Sequence, residues 1–178
     1  MKNFKGEEIP DFDKLLAKCN KHFENIKNFK KYRYSELYIK SNKGQFVLNT
    51  SFLNTEFPDR VENNLWGIYF FYDEKENPTY AGISRDVFRR LREHFLGKYE
   101  SSATLAYLIK KEELIKNNNN QTNKNRKNSK INFDDAQNKM RTNWKISIVP
   151  IFDNYELYLT EIIFACELKT KWNTFRTH

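Results

Sequence analysis

An α+β fold is predicted by three features of this 178-residue chain. Residues 66–72, WGIYFFY, form a dense run of aromatic and β-branched side chains closed by Asp73, the pattern of a buried strand. After the polar turn 73–78, Thr79-Tyr80-Ala81 begins a short second strand that Gly82 ends. From Ser84 the period changes, and Val87, Phe88, Leu91 and Phe95 recur at helical spacing, with Ser84 as the expected N-cap.

The other elements follow in order. Phe12, Leu15, Leu16, Cys19, Phe23 and Ile26 mark a first helix, capped by Asp11 or Asp13. Residues 32–40 and 45–49 flank Ser-Asn-Lys-Gly and read as a hairpin. A second central helix is expected at 101–116, with Leu105, Leu108, Ile109 and Leu114 inward. Residues 117–130, NNNNQTNKNRKNSK, hold seven Asn, four basic residues and no apolar one, so a mobile loop is expected. A strand follows at 145–152, where Pro150 suggests an edge or a bulge, and a last helix runs from about Asn154 to Thr170. With no repeat or linker, the expectation is one compact unit: an N-terminal extension at 1–65 packed on a core at 66–178, interrupted by an insertion at 96–144.

Aromatic residues make up 16% of the chain, too many for a disordered one. No apolar run approaches the ~20 residues that span a bilayer. The N-terminal MKNFKGEEIP lacks the apolar core of a signal peptide, so a cytoplasmic protein is expected. Cys19 and Cys166 are the only cysteines, so a disulfide framework and a zinc site built on three or four thiolates are excluded. The net charge is +8, and residues 85–145 alone hold 15 basic against 7 acidic side chains. One third of the chain thus carries the whole imbalance, as expected of a surface that meets a polyanion. Composition does not separate DNA, RNA, an acidic protein and a membrane surface.

Three constellations carry chemistry. Glu161 has Leu157, Tyr158, Phe164 and Ala165 as its neighbours one helical turn away, so its carboxylate lies along an apolar stripe. It needs a cation, or else it reaches water or an arginine at the stripe's edge. Arg90 and His94 lie one turn apart and can reach one cleft, or can simply be part of a solvated helix. Arg85, Arg89 and Arg92 fall elsewhere on that helix and make a basic surface. Tyr69 and Tyr80 are strand positions that a hairpin brings together, either as core or as site.

Together these residues resemble the GIY-YIG nuclease signature. Gly67-Ile68-Tyr69 is followed by Tyr80-Ala81-Gly82, by an Arg ten residues after the second Tyr, and by a His four further on. Glu161 and Asn173 repeat the family's twelve-residue spacing between a late-helix Glu and an Asn. Ala81 stands where Ile or Val is usual, and Ile83 where many members place a Lys. The resemblance covers about residues 66–173.

The resemblance implies a small domain around a three-stranded antiparallel sheet flanked by helices. It implies hydrolysis of phosphodiesters with one divalent cation per active site, Mg²⁺ or Mn²⁺. Glu161 would then hold the metal and Arg90 the scissile phosphate, with Tyr69 as general base, Tyr80 lining the pocket and His94 close to the phosphate. Gly82 and Asn173 would be structural residues beside the site. The organisation resembles compact restriction-type members, with the additions woven around the core. The expected activity is therefore that of a restriction or genome-defence endonuclease on double-stranded DNA, a homodimer if the target is symmetric. The rival readings are a repair or homing nuclease, and a non-catalytic nucleic-acid-binding module on the same scaffold. Lys124, Arg126, Lys127 and Lys130 in the Asn-rich stretch would add phosphate contacts to those of Arg85, Arg89 and Arg92.

Overall fold

A computed structural model describes residues 9–60, 64–117 and 131–173. It is a mixed α/β structure whose centre is strand β4 (Gly67–Tyr72), buried along its whole length. β4 pairs antiparallel with β5 (Pro78–Ser84) on one side and with β6 (Lys145–Pro150) on the other. A two-residue strand, β1 (Tyr32–Arg33), adds to the far side of β6, giving the order β1-β6-β4-β5. The sheet thus has four strands where three were expected.

Alternation along β4 divides the core in two. Tyr69 and Phe71 face a cluster built with Val87, Phe88, Leu91 and Phe95 of helix α4 (Val87–Leu96). Ile68, Phe70 and Tyr72 face the opposite cluster, which includes Leu157 and Phe164 of α7 (Asn154–Glu167) and the half-buried Phe23 of α1 (Phe12–Glu24). The two helices α1 and α7 therefore cover one face of the sheet. The other face carries α4, α5 (Thr104–Asn117) and α6 (Asp134–Asn143). Gly67 is required where β4 meets β6, because a Cβ there would lie 2.3 Å from the Val149 carbonyl oxygen. The β4–β5 turn is held by Asp73, whose Oδ1 accepts from the N–H groups of Lys75 and Asn77 at 2.9 and 2.8 Å.

Several local expectations change. Residues 32–40 are not one strand: Tyr34–Leu37 forms a helical turn, α2, and only β2 (Tyr38–Lys40) and β3 (Phe46–Leu48) pair as a separate hairpin. The turn lets Tyr34 and Tyr38 stack with ring centroids 5.0 Å apart and inserts both into the core. A further helix, α3 (Thr50–Glu56), is capped by Asn49. The N-cap of α4 is Asp86, not Ser84: its carboxylate accepts from Arg89 N–H at 3.0 Å, and Ser84 remains in β5. β6 is an interior strand, but β1 covers only its first two residues, so Pro150 needs no partner on that side. Helix α6 has little apolar stripe and buries a polar side chain, Gln137. Its Nε2 donates to the carbonyls of His94 and Gly97 at 3.2 and 2.9 Å, and Arg141 donates to that of Phe95. These are carbonyls at the C-terminal end of α4, which a helix cannot satisfy internally. The stretch expected to be a loop, 117–130, lies outside the described residues except for Asn117, the last residue of α5.

Candidate active site

The β4–β5 register sets Tyr69 opposite Gly82 and Phe71 opposite Tyr80, so both tyrosines stand on the α4 face of the sheet. Their rings lie 6.2 Å apart, and His94 sits against both, 5.7 Å from Tyr69 and 5.4 Å from Tyr80. Gly82 makes this packing possible. A Cβ at position 82 would lie 2.5 Å from Cζ and the hydroxyl of Tyr69 and 2.8 Å from Cε1 of Tyr80. Gly82→Ala is therefore expected to cost about 1–3 kcal/mol, as overpacking of a close-packed core does, and to displace the Tyr69 hydroxyl. Urea unfolding measures the loss; an unchanged midpoint would mean the rings can yield.

The Tyr69 hydroxyl and His94 Nε2 are 2.9 Å apart in a fully buried hydrogen bond. His94 Nδ1 is buried and has no partner among the described residues. Burial, and then the nearby Arg90 charge, hold the imidazole well below its ordinary pKa, so it is neutral. Burial, reinforced by Tyr80, drives Tyr69 well above the usual phenol value, while Arg90 pulls the other way. Tyr80 is also raised by burial, with Arg90 opposing and Glu161 adding to the rise. The dyad at rest is thus a neutral phenol on a neutral imidazole.

Arg90 and Arg89 differ sharply. The Arg90 side chain is 21% exposed and that of Arg89 62%. One Arg90 nitrogen donates to the Ser102 carbonyl at 2.8 Å and to Glu93 at 3.0 Å, which holds the guanidinium beside the two phenols. Arg89 instead turns outward onto Asp86 and Glu93. Arg85 lies over the Trp66 ring at 4.9 Å and donates to Asn154 at 2.8 Å, and Arg92 is exposed. Lys124, Arg126, Lys127 and Lys130 lie outside the described residues.

Glu161 reaches the site from the other side of the edge strand, near enough for its charge to act on Tyr80. Burial pushes its carboxyl up to about 7, and among the described residues no hydrogen bond or ion pair compensates it. A half-buried carboxylate without a counter-charge is the donor a cation would relieve. Among the described residues no group of three His, Cys, Asp or Glu side chains surrounds it. A single carboxylate of this kind could serve as one ligand of a hard divalent cation. Asn173 closes the exposed edge of β5: its side chain donates to the Ala81 carbonyl and accepts from the Ala81 N–H, each at 2.7 Å. The backbone N–H of Trp172 adds a bond to Thr79 at 3.1 Å. Ile83 packs against the apolar cluster on the α7 side, so no charge comes from position 83.

Sequence reasoning missed the supports. Glu93 follows Arg90 by three residues and was legible as a helical pair, but Ser102 and Gln137 act through backbone carbonyls and leave no pattern.

The site is thus a two-tyrosine hairpin backed by a helix Arg and His. Residues 65–115 match the family model described as the GIY-YIG catalytic domain, which supports the resemblance to the GIY-YIG nuclease superfamily. The matched stretch contains Tyr69, Tyr80, Arg90 and His94, while Glu161 and Asn173 lie beyond it. No curated protein and no solved structure matches the chain.

Proposed function

We propose that this protein is an endonuclease of the restriction or genome-defence kind, hydrolysing phosphodiesters of double-stranded DNA with one Mg²⁺ or Mn²⁺ per site. The observation that carries the proposal is the uncompensated Glu161 carboxylate beside the cluster of Arg90, Tyr69, Tyr80 and His94. The excess of positive charge in residues 85–145 supports a polyanionic substrate. Two free cysteines and no membrane-length apolar helix among the described residues suit action in the cytoplasm.

In this reading Arg90 binds the scissile phosphate with the nitrogens that Glu93 and Ser102 leave open. Tyr69 takes a proton from the attacking water as its own hydroxyl proton passes to the neutral His94 Nε2, 2.9 Å away. Glu161 would hold the divalent cation, whose charge would stabilise the departing 3′ oxygen. Tyr80, beside both Arg90 and Glu161, completes the wall of the site. The neutral dyad protects the resting site: neither group carries a charge until a phosphate anion arrives to stabilise one.

Relaxation of supercoiled plasmid in Mg²⁺ tests the proposal, with Glu161→Ala as the comparison. Loss of cleavage with DNA binding retained is expected. Binding with no cleavage by the native protein in any divalent cation would make it a binding module instead. Arg90→Lys is expected to lose about 10²-fold in rate although it keeps the charge, because an ammonium cannot hold Glu93, the Ser102 carbonyl and a phosphate in one plane. Arg89→Lys should change little. Equal damage from both would move the phosphate site elsewhere on α4.

A further inference from the structure

Helix α7 is apolar along its outward stripe as well as where it meets the sheet. Its outward positions Tyr155, Tyr158, Leu159, Ile162 and Cys166 fall at the spacing of one helical stripe and include no charged residue. None of the five is buried: Tyr158 is 59% exposed, Ile162 48%, and the adjoining Phe152 55%. A surface helix ordinarily carries charge on its outer face, and an exposed apolar stripe marks an interaction surface. The polar side of α7, by contrast, is turned inward, where Glu156 is buried and bound to His22 at 2.6 Å and to Lys18.

We infer that this stripe is the interface of a homodimer, in which α7 packs antiparallel against α7 of a second copy. The pattern of charge selects the occupant. A stripe without charge offers nothing to DNA phosphates or to a charged protein, but it complements itself. At its N-terminal end stands the exposed Asp153, and just past its C-terminal end the exposed Lys169. An antiparallel pair brings Asp153 of one copy to the Lys169 end of the other and opposes the helix dipoles, whereas a parallel pair would set like charges together. A two-fold axis through the middle of the stripe closes the assembly, using the same patch twice. Tyr155 then faces Cys166 of the second copy, and Leu159 faces Ile162.

The inference does not depend on the nuclease reading, and neither of its tests measures activity. Sedimentation equilibrium of the full chain at about 1–100 μM should give twice the chain mass. Ile162→Glu should weaken the dimer at least about 100-fold, because it buries a charge in an apolar contact, while the far-UV circular dichroism stays native. Tyr155→Cys should form an intermolecular disulfide with Cys166 under mild oxidation, and the further change Cys166→Ser should abolish it. The buried Cys19 does not compete. A native protein that is monomeric at 100 μM overturns the inference. So does a dimer that Ile162→Glu leaves intact, or one in which native Cys166 couples to Cys166 and Tyr155→Cys adds no cross-link.

Discussion

Glu161→Gln is expected to raise the melting temperature at pH 8, to leave it unchanged at pH 4, and to abolish cleavage throughout. The folded carboxyl titrates at about 7 because burial disfavours its charged form, against an ordinary value of 4.5. Below pH 4.5 both folded and unfolded chains carry the proton, and the native residue costs nothing. As pH rises from 4.5 to 7 the unfolded chain releases its proton first, so stability falls. Above 7 the full penalty stands, up to about 3 kcal/mol for a shift of this size. A neutral amide removes that penalty, which for a chain of this length corresponds to several °C in Tm. Divalent metal should oppose the penalty in the native protein alone. Mg²⁺ at pH 8 is expected to raise the native Tm and to leave that of Glu161→Gln where it was. Cleavage should likewise climb through pH 7 as the carboxylate forms. Equal stabilisation of both proteins by Mg²⁺ would remove Glu161 from the metal site, and cleavage at full rate in EDTA would remove the metal from the reaction.

Tyr69→Phe is expected to lower the single-turnover rate by roughly 10²–10⁴-fold, the range for loss of a general base. The ring packs against Phe71 and His94 and keeps those contacts as phenylalanine, so stability should fall only by the one hydrogen bond to His94. DNA affinity should hold, because the hydroxyl is buried behind Arg90's charge and adds none of its own. Tyr80→Phe is the internal comparison. It removes a hydroxyl from the same wall that feels both Arg90 and Glu161. A greater loss at Tyr80 would transfer the proton to that residue, and near-native rates for both variants would leave the base unassigned among the side chains.

The central hairpin, α1, α4 and α7 were legible because each buries enough apolar surface to print its period on the sequence. Elements that bury little of their own did not. β1 is two residues long and exists through its pairing with Ile146 and Lys145. α2 is a single turn set by the packing of Tyr34 and Tyr38. α6 earns its place through Gln137 and Arg141, whose partners are backbone carbonyls far along the chain. The same division runs through the candidate site. Tyr69 with Tyr80, and Arg90 with His94, could be paired from strand and helix spacing alone. The approach of Glu161 to the edge of β5 rests on the order of strands in the sheet, which local periodicity does not encode. The bond between Tyr69 and His94 needed the tilt of α4 over β4, and it became visible only in three dimensions.

The clamp of α6 on α4 also sets a schedule. The last turn of α4 is finished by Gln137, 43 residues after His94, and β4 gains its second neighbour only when residues 145–150 arrive. Glu161 emerges later still. At a synthesis rate of about 10 residues per second, several seconds separate the appearance of Arg90 at the ribosome from that of Glu161. A chain still being made therefore presents Arg90 seconds before Glu161, and under the proposed function an abandoned fragment would lack the residue that holds the cation.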